Sequence, residues 1–306
     1  METEITRLLP LSAPSSTVVY KEIQQYYDIA GPDYESWSPD FNMHFGYCRK
    51  FTDIFSLERM LVNMNEEVIS RLQLDLNSKA HIADLGCGMG TVARHTVTKY
   101  PLASVTGVTI SSWQLEKGTE LTHHAGLQGK VKIVNENFEQ LSFDKETFSH
   151  VYAIESACHA TSDSKELFIA EMARVLQQGG RFCIADGFLK NNGKKPRFFR
   201  WLYKRIANYW AVPGFACITD FENKLKEYGL KDIQVREISY RIAPSVLYVP
   251  LVCIKFFFKE LWRNRSLRMK KERWNNVYAP LLGMIMGLYR KHFGYYIVSG
   301  RKIAAQ

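Results

Sequence analysis

The sequence has few cysteines, and none of them stands close to another. The six are Cys48, Cys87, Cys158, Cys183, Cys217 and Cys253, and no C-x-x-C pair occurs. This spacing excludes the common zinc modules and a disulfide framework. No secretory leader precedes Ser12. We therefore expect reduced thiols, no metal and a cytoplasmic location.

The sequence also lacks an apolar run long enough to cross a bilayer. The longest run, 246–258, contains Pro250 and Lys255 and falls short of the ~20 residues that a transmembrane helix needs. Further cations follow at Lys259 and within 263–273. We expect this segment to lie on a membrane surface, to enclose an apolar chain, or to pack as an amphipathic cap.

Acidic residues are outnumbered, with 31 Asp and Glu against 40 Lys and Arg and a formal net charge of +9. The excess falls mostly in the C-terminal half, in 190–205 and 263–273. Such a balance suits an anionic membrane, a phosphorylated substrate or nucleic acid, or serves only as a solvated basic face. No catalytic or recognition motif for nucleic acid is present, so we expect no nucleic-acid partner.

The clearest local signal is the segment 80–99, which reads as strand, tight turn and helix. An apolar run reaches Asp84, and Gly86, Gly88 and Gly90 follow at alternate positions. Glycines in such a turn adopt positive φ and let a ligand approach the bare backbone. The spacing G-x-G-x-G differs from the dinucleotide pattern G-x-G-x-x-G.

Strands and helices alternate from Lys79 onwards, with strands predicted at 80–85, 103–108, 130–135, 148–154 and 181–186. This alternation predicts a parallel sheet covered on both faces, with ligand sites at the carboxyl ends of its strands. We predict an α/β fold, a Rossmann-like seven-stranded mostly parallel sheet with an N-terminal helical cap and a helical insertion before the last strand.

The predicted organisation divides the chain into five parts. These are a flexible tail (1–16), a helical and aromatic cap (17–78), a core (79–240) with a basic helix at 190–212, a helical substrate lid (241–292) and a closing strand (293–306).

Polar residues follow the predicted strands where a ligand would lie. The second strand ends without the carboxylate that often binds ribose, which leaves Thr109, Ser111 or Gln114 for that role. Asn137 and Phe138 follow the third strand, where Asn137 could equally be an ordinary turn residue. Glu155 and His159 follow the fourth strand and are candidates for acid-base work, or for donor binding and ordinary hydrogen bonding.

The glycine segment resembles the first motif of class I methyltransferases, which implies S-adenosylmethionine (SAM) as cofactor. The resemblance implies that Asp84 accepts a hydrogen bond from the ammonium group and that the loop backbone lies against the amino acid and ribose. The implied cofactor-binding residues are Asp84, Gly86, Cys87, Gly88, Gly90, Thr109, Ile110, Gln114, Asn137 and Phe138.

A closer resemblance rests on 152–160, Tyr-Ala-Ile-Glu-Ser-Ala-Cys-His-Ala, which is similar to a motif of sterol C-24 methyltransferases. The aromatic segment 26–45 resembles the N-terminal motif of that family. The segment 107–114 resembles one shared with tocopherol and cyclopropane-fatty-acid methyltransferases, and 172–180 resembles a pattern common to class I enzymes. The resemblance covers about 20–188 and, more loosely, the closing strand. Little of 190–292 matches.

These resemblances imply a SAM-dependent C-methyltransferase that acts on an isoprenoid double bond through a carbocation and a deprotonation. The acceptor is a linear prenyl diphosphate or a sterol-like lipid. The implied catalytic residues are Glu155, His159, Tyr26 and His44, and the implied substrate residues are Tyr27, Trp37, Phe45, Arg197 and Arg200, with Tyr26 also offering an aromatic face.

Other acceptors stay open, namely an aromatic ring, an unsaturated acyl chain or a small amine. A nucleic-acid-binding protein and a non-catalytic partner subunit are alternatives of a different class. A peripheral membrane contact and a homo-oligomer also stay open.

Overall fold

The computed structural model describes residues 16–265 and 268–303, without the side chains of Ser16, Arg263 and Asn264, so the predicted tail lies almost wholly outside the described residues. A seven-stranded sheet forms the centre of the molecule, in the order β3-β2-β1-β4-β5-β7-β6. Its strands are Ala80–Leu85 (β1), Ala103–Thr109 (β2), Val131–Asn135 (β3), Phe148–Ile154 (β4), Leu176–Leu189 (β5), Leu230–Glu237 (β6) and Phe293–Lys302 (β7).

Only β7 runs against its neighbours, since it pairs antiparallel with both β5 and β6 while the pairs from β3 to β5 are parallel. The predicted Rossmann-like, mostly parallel sheet is confirmed.

Ten α-helices are described. They are Ser16–Ala30 (α1), Leu57–Leu72 (α2), Thr91–Lys99 (α3), Ser112–His124 (α4), Glu166–Val175 (α5), Arg197–Tyr209 (α6), Ile218–Glu227 (α7), Ser239–Val246 (α8), Val249–Asn264 (α9) and Lys271–Gly287 (α10). Short 3₁₀ helices occupy Gly31–Ser36, Phe51–Phe55 and Ala157–His159.

Both faces of the sheet are buried, which explains why the central strands are apolar almost throughout. On one face, α5 and α7 pack around Phe148, Phe168 and Phe182. On the other, α2 and α3 pack around Ile82 and Tyr152. The helix α2, part of the predicted cap (17–78), thus contributes directly to the core of the sheet.

The strand order places a crevice at the end of β1. The chain leaves β1 toward β2 and β3 and then returns to β4 on the other side of β1. Loops diverge at such a switch point, and the carboxyl ends of the strands there are the usual ligand site of open α/β sheets.

The basic helix is shorter than the predicted 190–212. Pro196 caps its start, and Ala211 beyond its end has a φ of +51°. Proline fits the start of a helix because its missing N–H is not needed there. The helix buries Phe199, Leu202 and Ile206 and leaves Arg197 and Arg200 exposed.

The segment before the last strand is helical, as predicted. Within the described residues one helical stretch, Ser239–Trp262, is long and apolar enough by length and composition to cross a membrane, which alone is weak evidence. The apolar run of the sequence begins only at Val246 and is too short for such a span, whereas in the structure α8 precedes α9 with only a turn between them.

Candidate active site

The loop after β1 makes a tight turn at its glycines. The N–H groups of Gly86 and Cys87 both donate to the carbonyl of Val108, each at 2.9 Å. Gly86 has a φ of +88°, and a Cβ there would lie 2.3 Å from the Cβ of Ser156. Gly88 has a φ of +54°. Glycine is therefore required for both the turn and the close packing of this loop.

A cavity of about 850 Å³, part of it open solvent, lies against this loop. Of the predicted residues it is lined by Tyr27, His44, Asp84, Gly86, Cys87, Gly88, Thr109, Ile110, Gln114, Asn137, Phe138, Glu155 and His159. The structure thus brings most of the predicted residues together, although their roles stay predictions.

Asp84 is a buried carboxyl group at the end of β1. It is 3% exposed and accepts a hydrogen bond of 2.8 Å from the hydroxyl of Tyr152. Burial raises the pKa of Asp84 to about 7, and the Tyr152 hydroxyl opposes the shift. A cationic group entering the cavity would favour the ionised carboxylate.

The end of β2 holds a small polar network. Thr109 Oγ1 donates to Gln114 Oε1 at 2.6 Å, and Ser111 caps α4 by accepting from the N–H of Gln114. Ser111 is fully buried and donates to Asp28, so Thr109 and Gln114 remain as the polar groups that line the cavity here. Asn137 forms a turn by accepting from the N–H of Glu139 and lines the cavity as well.

Glu155 is held by two donors that meet on one oxygen. The N–H of Phe45 and the hydroxyl of Tyr295 donate to Oε1, at 2.6 and 2.8 Å. Burial raises the pKa of Glu155 to about 8, against the lowering effect of both donors. Because both bonds use Oε1, Oε2 is the oxygen left to exchange a proton with the cavity.

His159 is paired with Tyr27 across the same cavity. Its Nδ1 lies 3.4 Å from the carbonyl of Ala211 and its Nε2 lies 2.9 Å from the hydroxyl of Tyr27. Burial lowers the pKa of His159 to about 4, so the imidazole is neutral near pH 7. With Nδ1 donating to Ala211, Nε2 accepts from the hydroxyl of Tyr27.

Two buried ionisable groups that the sequence analysis missed fix the segment 155–160. Asp186, at the carboxyl-terminal part of β5, accepts from the N–H of Cys158 at 2.9 Å. Lys165 donates to the carbonyls of Cys158, Ala160 and Gly214. Asp186 lies at the end of a predicted strand, as Asp84 does, and that position was the signal that could have found it.

Several predicted residues lie outside the described lining of the cavity. Tyr26 donates to Asn276 and joins α1 to α10. Trp37 packs edge to face on Phe45 and donates to the carbonyl of His44, and Phe45 reaches the site through its backbone N–H. Gly90 caps α3. Arg197 and Arg200 are exposed on α6.

The cavity has lining residues that were not predicted. These are Tyr20, Ile23, Phe41, Asn42, Met43, Thr91, Val92, Ile154 and Ser156. The aromatic lining therefore comes from Tyr20, Tyr27, Phe41 and Phe138 in place of Tyr26, Trp37 and Phe45. No described residue of 241–292 lines the cavity, and α10 contacts α1 through the hydrogen bond between Asn276 and Tyr26. The role of 241–292 as a substrate lid stays a prediction.

Residues 82–180, which contain the glycine loop, Asp84, Glu155 and His159, match the family model described as a methyltransferase domain. The chain carries a class I methyltransferase domain. The predicted class, and with it the SAM-dependent enzyme type and the SAM cofactor, is confirmed for this methyltransferase domain.

Relatives of the methyltransferase domain include cycloartenol-C-24-methyltransferase 1 of Oryza sativa subsp. japonica. It is 33% identical over 184 residues, which are 57% of this chain and 50% of that protein. The chain spans half or less of the length of the first curated relatives that it matches.

Solved structures share the fold of the methyltransferase domain over nearly the whole chain. The cyclopropane synthase MmaA2 from Mycobacterium tuberculosis has a TM-score of 0.78 at 15% identity and covers 95% of this chain and 99% of its own. Geranyl diphosphate C-methyltransferase from Streptomyces coelicolor A3(2) has a TM-score of 0.69 at 14% identity and covers 95% and 100%.

The residues of the methyltransferase domain fit SAM. Gly86, Cys87 and Gly88 of the loop line the cavity, and Asp84 supplies a buried carboxyl group whose pKa a cation would lower. Thr109, Gln114 and the Asn137 and Phe138 pair add polar and aromatic surface along the same cavity.

Proposed function

We propose that the chain is a SAM-dependent C-methyltransferase that acts on the double bond of an isoprenoid lipid. The observation that carries this proposal is Glu155, a carboxyl group held by two donors at the wall of a largely apolar cavity beside the glycine loop. The printed names of a sterol methyltransferase and a geranyl diphosphate C-methyltransferase among the similar proteins support it.

In the proposed reaction the protein excludes water, faces the developing positive charge with an aromatic ring and accepts a proton. SAM, when bound, supplies an electrophilic methyl group. The apolar walls exclude water, and the ring of Tyr27 lies at the cavity where it can face a positive charge that develops on the acceptor. Glu155 Oε2 then accepts the proton that an alkylated alkene must lose.

The pKa of Glu155 decides when it can act as this base. Burial raises that pKa to about 8, so the carboxyl group is mostly protonated at pH 7 in the free protein. A cation in the cavity lowers the pKa and favours the base form. Glu155 is thereby available as a base mainly when the cavity holds positive charge.

A neutral acceptor fits better than a diphosphate. No Lys or Arg occurs among the described residues that line the cavity, whereas diphosphates are usually bound by cationic side chains or metal ions. Arg197 and Arg200, predicted as substrate residues, are exposed on α6 and are not among the residues that line the cavity. We therefore favour a sterol-like or other uncharged isoprenoid over a prenyl diphosphate.

Methyl-labelled SAM tests the proposal directly. The purified chain is offered an uncharged isoprenoid lipid with a side-chain double bond and, separately, a prenyl diphosphate, and products are identified by mass spectrometry. We expect a C-methylated lipid, and loss of that product in Glu155→Gln but not in Glu116→Gln, an exposed control. Methyl transfer only to oxygen or nitrogen would contradict the reaction type, and preference for the diphosphate would contradict the acceptor.

A further inference from the structure

The outward side of α9 is a continuous apolar surface. Leu247 just before the helix, then Leu251 and Phe258, are 68%, 62% and 70% exposed. With Ile254 they are spaced four, three and four residues apart, which places all of them on one side of a helix. We call this surface the α9 outer face, formed by Leu247, Leu251, Ile254, Phe258, Leu261 and Trp262.

A second exposed apolar group lies beside the start of α9. Phe51 and Phe55 are both strongly exposed and pack edge to face, with ring centroids 5.9 Å apart. The hydroxyl of Tyr248 donates to the carbonyl of Ile54 at 2.6 Å, which joins this 3₁₀ helix to the turn before α9. Scattered apolar side chains are normal on a surface, but a contiguous group of this extent usually marks a binding surface.

The opposite side of α9 packs against the rest of the protein. Val249, Phe256 and Glu260 are buried, and Arg273 of α10 donates to Glu260 and to Asp33 at 2.8 to 3.1 Å. A helix with one side packed on protein through such a cluster lies along a bilayer surface more readily than across it.

Charge next to the apolar surface favours an anionic partner. Lys255 is exposed on the edge of the α9 outer face and forms no ion pair with the described residues, and Lys50 is exposed next to Phe51. Lys259, on the same edge, pairs with Glu35 in a solvent-exposed contact that is worth little. A second copy docked through the same surface would bring these cations together, whereas anionic headgroups would neutralise them.

We propose that the α9 outer face, with Phe51 and Phe55, docks peripherally on an anionic lipid surface. Leucine, phenylalanine and tryptophan enter the headgroup boundary while the lysines meet lipid phosphates. This inference is independent of the acceptor proposed above.

Vesicle sedimentation of the full chain tests the docking surface. Vesicles of phosphatidylcholine mixed with phosphatidylglycerol are compared with vesicles of phosphatidylcholine alone. We expect stronger binding to the anionic vesicles and a loss of about tenfold or more in Leu251→Ser/Phe258→Ser. The matched control, Leu76→Ser/Leu102→Ser, removes two exposed leucines elsewhere and should bind like the wild type. Lys255→Glu should weaken binding to anionic vesicles at low salt.

Circular dichroism and SAM affinity, unchanged in the variants, establish that they fold. Equal binding to both kinds of vesicle, no binding at all, or full binding by Leu251→Ser/Phe258→Ser would overturn the proposal. A stable dimer in light scattering that this double variant dissociates would assign the surface to a second copy and overturn it as well.

Discussion

At the scale of single residues, Glu155 combines an uncommon backbone conformation with a buried carboxyl group. Its φ of +51° is in the left-handed region, which non-glycine residues rarely adopt and which often occurs at functional sites. The conformation sends the side chain toward Phe45 and Tyr295. The strain is thus associated with the one carboxyl group that the proposed reaction uses as a base.

Tyr295→Phe should move the pH dependence of turnover. The hydroxyl of Tyr295 lowers the pKa of Glu155, which burial raises to about 8; without this donor the ionised form is less stable and the pKa rises further. Since the base form exists above the pKa, the rise of kcat with pH should shift to higher pH. Profiles of kcat against pH for both proteins measure the shift, and coincident profiles would show that Glu155 is not the base.

Asp84→Asn should change how stability varies with pH. The pKa of Asp84 rises from its ordinary 3.8 to about 7 on folding. The folded state therefore holds a proton that the unfolded state has lost between these values, so stability is lost as pH rises through this window. Asn keeps an acceptor for Tyr152 but does not titrate.

Thermal unfolding of the ligand-free proteins from pH 5 to pH 8 compares the two. The Tm of the Asn variant relative to the wild type should rise as pH approaches 7, the pKa of Asp84 in the fold. A difference that is constant with pH would contradict the buried, neutral carboxyl group.

Functional residues at strand ends could be predicted from the sequence, whereas the distant residues that contact this region could not. Asp84 and Glu155 follow apolar runs, and the carboxyl ends of parallel strands converge on one edge. Tyr295 contacts Glu155 although 140 residues separate them along the chain, and Lys165 reaches the same region from the start of α5. No local pattern marks such contacts, because they depend on how distant segments pack.

At the scale of elements, the loop after β1 should tolerate no side chain at Gly86. In Gly86→Ala the new Cβ would meet the Cβ of Ser156 at 2.3 Å, at a φ of +88°. We expect a loss of about 2 kcal/mol or more in the free energy of unfolding and weaker SAM binding. Gly129→Ala is the control, since a Cβ there has no neighbour within 4 Å. Urea unfolding that is equal for the two variants would contradict the packing.

The order and type of the elements were largely predictable, whereas several boundaries were not. The alternation of strands and helices predicted the sheet because apolar strands covered on both faces are distinctive. The strand predicted at 181–186 extends over Leu176–Leu189, with an irregular register between Phe148 and His150. Within 241–292, which was predicted to cover the acceptor, α10 contacts α1 through Asn276 and Tyr26, a contact that only tertiary packing decides.

At the scale of the whole molecule, Arg273 fastens the C-terminal helices to the N-terminal segment. It donates to Asp33 and Glu260, and both carboxylates have side chains less than 10% exposed. Arg273→Met removes the cation from this cluster and should cost about 2 kcal/mol or more. Lys259→Met removes an exposed partner of Glu35 and should cost less than about 1 kcal/mol.

Urea unfolding of both variants measures the difference. A loss for Arg273→Met no larger than for Lys259→Met would contradict a stabilising role for the cluster.

The account as a whole depends on SAM binding against the loop after β1, with Asp84 as the partner of its ammonium group. Calorimetric titration with SAM tests this most directly, in wild type, in Asp84→Asn and in Asp144→Asn, an exposed control. We predict one site per chain, normal affinity in Asp144→Asn and an affinity in Asp84→Asn lower by between about tenfold and about a hundredfold, because a charge-assisted hydrogen bond is lost. Equal affinity in all three proteins, or no binding by the wild type, would contradict the account.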